Sequence, residues 1–281
     1  MSLEQIFALF GSYPMLSVAT ILVIGVIFIN GWTDAPNAIA TCISTRCIKP
    51  KTAIIMAAIF NFLGVLTMFF ISKQTAETIS NMVDFGTNYN LALSALCAGM
   101  VGVIVWGVLA WWFGIPSSES HALIAGITGA GLAAMTMGLD ATIKFGPDSS
   151  WAFTIYGLIL SCVFGFFIGW LVTKTIQLIC RKMNRNRTRP FFKYAEVCGG
   201  AAMAYVHGAQ DGLKFIGVLF LAIQLAAKAN GIENVALSND ASLWWLAVVV
   251  AMVMGLGTSI GGYKIIKKVG MGMVSLEQYE G

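Results

Sequence analysis

Seven apolar runs divide this chain, at residues 15–30, 52–72, 91–113, 118–137, 151–178, 191–227 and 243–262. Each is close to or above the roughly 17–25 residues that carry a helix across a bilayer. In hydrocarbon there is no water to pair with a backbone N–H or C=O, so a continuous apolar run folds there as a helix. Composition agrees. Charged residues make up 11% of the 281 residues and hydrophobic ones 58%, and mean hydropathy is +0.80. A soluble domain carries about 25% charged residues, so this chain has too little charge to wet a globular surface. A soluble enzyme, a disordered chain and a disulfide scaffold are excluded. The expected architecture is all-α and polytopic, with about seven crossings. Cys42, Cys47, Cys97, Cys162, Cys180 and Cys198 lie in or beside apolar runs without a CxxC pair. They read as small buried hydrophobes rather than metal ligands or bridges.

Charge placement orients the runs. Three connections are basic: Arg46, Lys49 and Lys51; Arg181, Lys182, Arg185, Arg187, Arg189 and Lys193; Lys264, Lys267 and Lys268. The others each mix one lysine with two acids. Basic loops stay in the cytoplasm, which gives an outside N-terminus, seven net crossings and an inside C-terminus in the cell membrane. Residues 118–137 have an alternative as a re-entrant pair of half-helices. The net charge of +4 is too small to suggest nucleic acid as a partner, and the lipid bilayer is the evident one.

A charge at the centre of a spanning helix costs roughly 2.5–3.5 kcal/mol, and Asp34, Glu119, Asp211 and Lys214 all fall within or beside the runs. They sit in three polar islands. In the first, residues 30–41, Gly31 and Pro36 both oppose a continuous helix, so a break is expected at 30–37, with Asp34 and Asn37 on one face beyond it. The plainer alternative is a kink with Asp34 as a helix cap. The second, residues 114–122, holds Pro116, Ser117, Ser118, Glu119, Ser120 and His121. Hydroxyls at a helix start bind anions, or they simply cap that helix. The third, residues 205–216, holds His207, Gly208, Gln210, Asp211 and Lys214. Asp211 and Lys214, three apart, also suit a polar clamp between helices.

The first and third islands repeat. One offset of 177 residues carries Gly31 to Gly208, Asp34 to Asp211, Asn37 to Lys214 and Ile39 to Ile216. By the charge topology the two copies run in opposite directions. A repeated polar break in oppositely oriented halves points to a secondary transporter with its site at the midplane. Residues 1–180 then form the first repeat, 181–193 a basic cytoplasmic loop, and 194–281 the start of the second. The same offset carries Pro116 beyond Gly281, so the repeat logic expects the second half to be incomplete here.

These residues resemble the signatures of the PiT inorganic phosphate transporters, a family that also includes sulfate permeases. Its first signature, G-A-N-D-x-A-N-A-I-A-T, is similar to Gly31-Trp32-Thr33-Asp34-Ala35-Pro36-Asn37-Ala38-Ile39-Ala40-Thr41. Its second, H-G-A-N-D-x-x-N, is similar to His207-Gly208-Ala209-Gln210-Asp211-Gly212-Leu213-Lys214. Its serine-rich segment resembles Pro116-Ser117-Ser118-Glu119-Ser120-His121. Thr33 and Gln210 stand where the family has Asn, Glu119 interrupts the hydroxyls, and Lys214 replaces an Asn. The resemblance implies that Asp34, Asn37, Asp211, Ser117, Ser118 and Ser120 line a phosphate and coupling-cation site between inverted halves. This chain's own Lys214 and Gln210 are expected to join Asn37 and the serines on the oxyanion, and Glu119 and Thr33 to join Asp34 and Asp211 on the coupling cation, with Asp34 and Asp211 as oxygen ligands if that cation is Na⁺. His121, His207, Gly31, Pro36 and Gly208 would support them. A homodimer is implied in the same way.

The expected function is cation-coupled transport of phosphate, with no cofactor beyond the coupling Na⁺ or H⁺. Moving a charge across 100 mV costs about 2.3 kcal/mol, so a dianion alone would cost about 4.6 kcal/mol against a negative interior. Phosphate is favoured over sulfate because it still carries protons to donate to carboxylates such as Asp34 and Glu119. The alternatives are a sulfate or other oxyanion permease, and a non-transporting membrane component needing a partner segment. A hydrolase built from Ser117, His121 and an aspartate is set aside, because both groups lie on one helix and no oxyanion signature accompanies them.

Overall fold

Proline at a first helical turn, where its missing N–H costs no hydrogen bond, opens two of the long helices, at Pro14 and Pro50. Side chains begin three more: Asn88 accepts from Leu91 N, Ser149 from Ala152 N and Asn184 from Asn186 N. The structure, a computed structural model, describes residues 3–115, 117–143, 145–232 and 243–269. Pro116 of the serine-rich segment, the loop charges Lys144, Glu233 and Asp240, and residues 270–281 lie outside the described residues.

In chain order the helices are α1 (Leu3–Ser12), α2 (Pro14–Thr33), α3 (Ala40–Ser44), α4 (Pro50–Ile71), α5 (Gln74–Ser80), α6 (Tyr89–Phe113), α7 (Glu119–Thr136), α8 (Ser150–Cys180), α9 (Arg185–Ala229) and α10 (Trp244–Val269). A 3₁₀ turn, Ala35–Ile39, joins α2 to α3. Five described segments are long and apolar enough to span: Pro14–Ser44, Pro50–Ile71, Tyr89–Phe113, Ser150–Cys180 and Asn186–Ala229. The other two expected runs are also helical, as α7 and α10. This is an all-α, membrane-embedded protein.

Helix α9 is the axis. α4 and α5 lie along it, and α2, α6 and α10 pack against it as well. The α4–α9 approach is close because of two glycines. A Cβ on Gly64 would collide with the Tyr205 carbonyl, and one on Gly208 with the Asn61 carbonyl. Small residues at such crossings let backbones approach within van der Waals range, which drives helix association where lipid is as apolar as the side chains. By contrast, no residue of α8 is buried, and a Cβ added at Gly157, Gly165 or Gly169 would meet no other element's atoms within 4 Å among the described residues.

Four sequence expectations are corrected here. The polar break occurs only in the first copy. α2 ends at Thr33 and the backbone tightens through Pro36, whereas α9 runs unbroken through His207, Asp211 and Lys214. The physical reason is that the repeat places Leu213, not a proline, opposite Pro36. Gly31 does not break its helix; it lies within α2, where a Cβ would strike the Met254 carbonyl of α10. The basic segment is mostly helix, since residues 185–193 form the first turns of α9 and Pro190 is accommodated there. Finally, only Cys42, Cys47 and Cys97 are buried, while Cys162 and Cys198 are exposed. In lipid an apolar thiol needs no protein cover.

The α3–α4 connection is pinned to α9 by Glu196, whose carboxylate accepts from Thr45 Oγ1 at 2.9 Å and from Cys47 Sγ at 2.7 Å. Burial, then the Glu196 carboxylate, push the Cys47 thiol up to about 11, so it stays a protonated donor.

Gly208→Val should lower stability by about 1–3 kcal/mol, the usual cost of overpacking, and Gly165→Val should leave it unchanged. Thermal unfolding of the detergent-solubilised chain checks both. Equal effects would show that the α4–α9 crossing is not the tight contact described.

Candidate functional site

Asp34 and Asp211, far apart in sequence, meet where the end of α2 faces the middle of α9. Asn30, one turn before Asp34, lies between them. Its Nδ2 donates to Asp211 Oδ2 at 3.0 Å and to Asp34 Oδ2 at 3.4 Å. The start of α7 reaches the same point. The Glu119 N–H donates to Asp34 Oδ2 at 3.0 Å, and Ser120 Oγ donates to Asp211 Oδ1 at 3.1 Å. An aspartate at a helix N-terminus is favoured by the N–H groups and dipole there. Asp34 therefore caps α7 rather than its own 3₁₀ turn, where it makes no side-chain cap bond.

Lys214 completes this side of the cluster. Three residues after Asp211 on an unbroken helix, it returns along the same face, and Nζ lies 2.7 Å from Asp211 Oδ1 and 2.8 Å from Ser120 Oγ. On the other side, His207 Nε2 is 3.4 Å from Asp211 Oδ2, and His207 Nδ1 is 2.9 Å from Asn61 Oδ1. Asn61 Nδ2 is committed to Thr258 Oγ1 at 3.4 Å, so its Oδ1 accepts and His207 Nδ1 carries the proton. A polar chain thus runs from α10 through α4 and α9 to α2 and α7.

Among the described residues, several oxygens in this cluster have no protein donor. Glu119 is fully buried, and neither of its carboxylate oxygens is paired; Asn30 Oδ1 and Asp34 Oδ1 are likewise unpaired. The Glu119 carboxylate fits only because residue 107 is glycine, since a Cβ there would overlap Oε1. Leaving buried acceptors unpaired costs about 1–3 kcal/mol each. Oxygens of this kind are suited to a donor or cation brought by a ligand. One ligating atom each from Asp34, His207 and Asp211 lies within 4.8 Å of the others, which is close enough to share a small cation.

The remaining expected site residues lie elsewhere. Ser117, Ser118 and His121 line a separate cavity of about 530 Å³ between α6 and α7. There Trp106 Nε1 donates to Ser117 Oγ at 2.6 Å, and Ser118 Oγ caps α7 by accepting from His121 N at 3.4 Å. Asn37, in the 3₁₀ turn, and Gln210, about 100° around α9 from Asp211, are exposed. Thr33 donates to the Ile29 carbonyl of its own helix at 2.9 Å. Gly31 and Gly208 serve helix packing, and Pro36 shapes the turn. Sequence reasoning passed over Asn30, Asn61 and Thr258 as site residues. The available signal was an amide or hydroxyl inside an otherwise apolar run, where polar side chains are costly.

An all-helical membrane bundle with carboxylates, an ammonium and a serine converging inside it is the framework of an ion-handling membrane protein. Residues 30–281 match the phosphate transporter family, and the chain belongs to that family. It is 35% identical over 260 residues to a probable low-affinity inorganic phosphate transporter of Bacillus subtilis (strain 168), covering 90% of this chain and 71% of that protein. It is 33% identical over 271 residues to a probable low-affinity inorganic phosphate transporter of Mycobacterium tuberculosis (strain ATCC 25618 / H37Rv), covering 95% of this chain. The chain spans 60% of that relative's length. A solved structure described as the sodium-dependent phosphate transporter shares the fold, with a TM-score of 0.68 at 17% identity over 95% of this chain and 80% of that one.

The Asn61–His207 contact should show as energetic coupling. A double-mutant cycle with Asn61→Ala and His207→Ala should give about 0.6–1.7 kcal/mol, the range for polar pairs between membrane helices. Strict additivity in unfolding measurements would mean the two side chains do not interact.

Proposed function

We propose that this chain carries inorganic phosphate across the cytoplasmic membrane, coupled to inward movement of a cation, Na⁺ or H⁺, with its N-terminus outside. The observation that carries the reading is the buried mixture of donors and unpaired acceptors at one place. Lys214 Nζ spends two of its three N–H groups on Asp211 and Ser120 among the described residues, so one remains for a substrate oxygen. Asp34 Oδ1, Asn30 Oδ1 and the Glu119 carboxylate accept. Hydrogen phosphate presents both P–O acceptors and a P–OH donor, and so suits both kinds of group. Sulfate has no proton to donate and meets the carboxylates with repulsion alone. The names of the relatives support the same substrate.

On this reading Ser120 and Lys214 hold the anion, and Asn30 keeps Asp34 and Asp211 in register around it. Asp34, with one oxygen unpaired, takes the coupling cation. Ser117, Ser118 and His121 line the 530 Å³ cavity beside it as a hydroxyl-bearing vestibule. Bringing in a dianion against 100 mV costs about 4.6 kcal/mol, and co-transported cations offset that cost. The groups bind and neutralise; no bond of the substrate is broken, which is a transporter's role and not an enzyme's.

Uptake of ³²P-phosphate into proteoliposomes tests the reading. Asp34→Asn and Asp211→Asn should each reduce uptake by at least about ten-fold, and Ser120→Ala should raise the apparent KM about ten-fold, as expected from hydrogen bonds to charged groups. All three should still insert and fold. Wild-type rates in the aspartate variants would exclude this cluster as the site, and labelled sulfate entering as fast as phosphate would assign the substrate differently.

A further inference from the structure

We infer that Lys214 is a tethered cation, its ammonium filling between Asp211 Oδ1 and Ser120 Oγ the seat that a transported Na⁺ would otherwise take beside Asp211. The inference rests on the phosphate reading above and specifies its coupling.

The coordination of Asp211 carries it. Oδ1 accepts from Lys214 Nζ at 2.7 Å and from Ser120 Oγ at 3.1 Å, and Oδ2 accepts from Asn30 Nδ2 at 3.0 Å. Both oxygens are thus engaged by groups of this chain, and a metal ion would have to displace the lysine to reach Oδ1. A carboxylate and a hydroxyl oxygen are the hard ligands a small cation prefers. The ammonium satisfies them instead, because it has three donors and no acceptor. Asp34 is different: among the described residues its Oδ1 is unpaired, so it keeps the capacity to take a mobile cation.

The placement follows from sequence. Because Leu213 leaves α9 continuous, residue 214 falls on the face of Asp211. In the first copy Pro36 tightens the turn, and Asn37 is exposed instead. The two halves therefore treat their aspartates unequally, one with a fixed charge and one with an unpaired oxygen. The consequence for coupling is direct. A charge that stays with the protein helps hold the anion, but it is not delivered to the other side. Only transported charges draw on the membrane potential. Each phosphate is therefore accompanied by one fewer cation than if the seat at Asp211 held Na⁺.

Lys214→Asn supplies an amide oxygen and removes the charge, and Lys214→Gln does the same on a longer stem. With purified, full-length chain in detergent, replacing KCl by NaCl at equal ionic strength should raise the melting temperature of a Lys214→Asn or Lys214→Gln variant by several degrees more than that of the parent. Adding Asp211→Asn should erase the gained response. In proteoliposomes the neutral variant should carry one more ²²Na⁺ per ³²P-phosphate than the parent. A folded neutral variant with the parent's sodium response in melting and the parent's ion ratio overturns the inference and leaves Lys214 as a packing partner of Asp211. If the parent accumulates no phosphate, the transport reading fails, and the melting comparison still decides the role of Lys214.

Discussion

Two aspartates are drawn together inside a helical membrane bundle, and this repulsion has to be neutralised for the rest of the structure to stand. In a medium of low dielectric, unpaired charges are costly. The chain answers with Asn30 between the carboxylates, the N-terminus of α7 on Asp34, and Lys214 and Ser120 on Asp211. Each of these groups comes from a helix whose position is fixed by packing elsewhere, so the site and the bundle are mutually dependent. Removing one partner leaves a buried charge exposed to its neighbour.

Close approach makes that convergence possible. Gly64 and Gly208 bring α4 against α9, Gly31 brings α2 against α10, and Gly257 meets the Phe28 carbonyl from the other side. With the backbones this near, short side chains such as Asn61, Ser120 and Thr258 reach across helix boundaries. The glycines at the α4–α9 and α2–α10 crossings thus help the Asn61–His207 and Asn61–Thr258 hydrogen bonds to close. α8 takes no part in this framework: no residue of it is buried within the chain.

Much of this was legible in the residues. The seven apolar runs became helices because a backbone in hydrocarbon has no other way to pair its polar groups. Asp34, Asp211, Lys214 and Ser120 stood out because charge and hydroxyl are expensive among apolar neighbours. The weak points were those that depend on a neighbour from another helix. Asn61 and Thr258 look like incidental polar residues until His207 is seen between them and Asp211. Asn37 and Gln210 carry the right chemistry, yet they are exposed, Asn37 in the 3₁₀ turn and Gln210 about 100° around α9 from Asp211. Ser117 and Ser118 sit in the same short segment as Ser120, but they precede α7 and line a cavity against α6, whereas Ser120 lies on α7 and reaches Asp211.

The sequence by itself determined the class, the helical content, the proline break in the first copy and the identity of the costly charges. These follow from local rules: the reach of a helix across lipid, the geometry of proline, and the price of burying an ion. Only the tertiary structure decided which of those charges share a site, which oxygens go unpaired, and that Lys214 sits on Asp211 and Ser120 rather than in solvent. Those facts depend on where one helix crosses another, and a crossing is fixed by many small contacts distributed along both helices, which no single stretch of sequence contains.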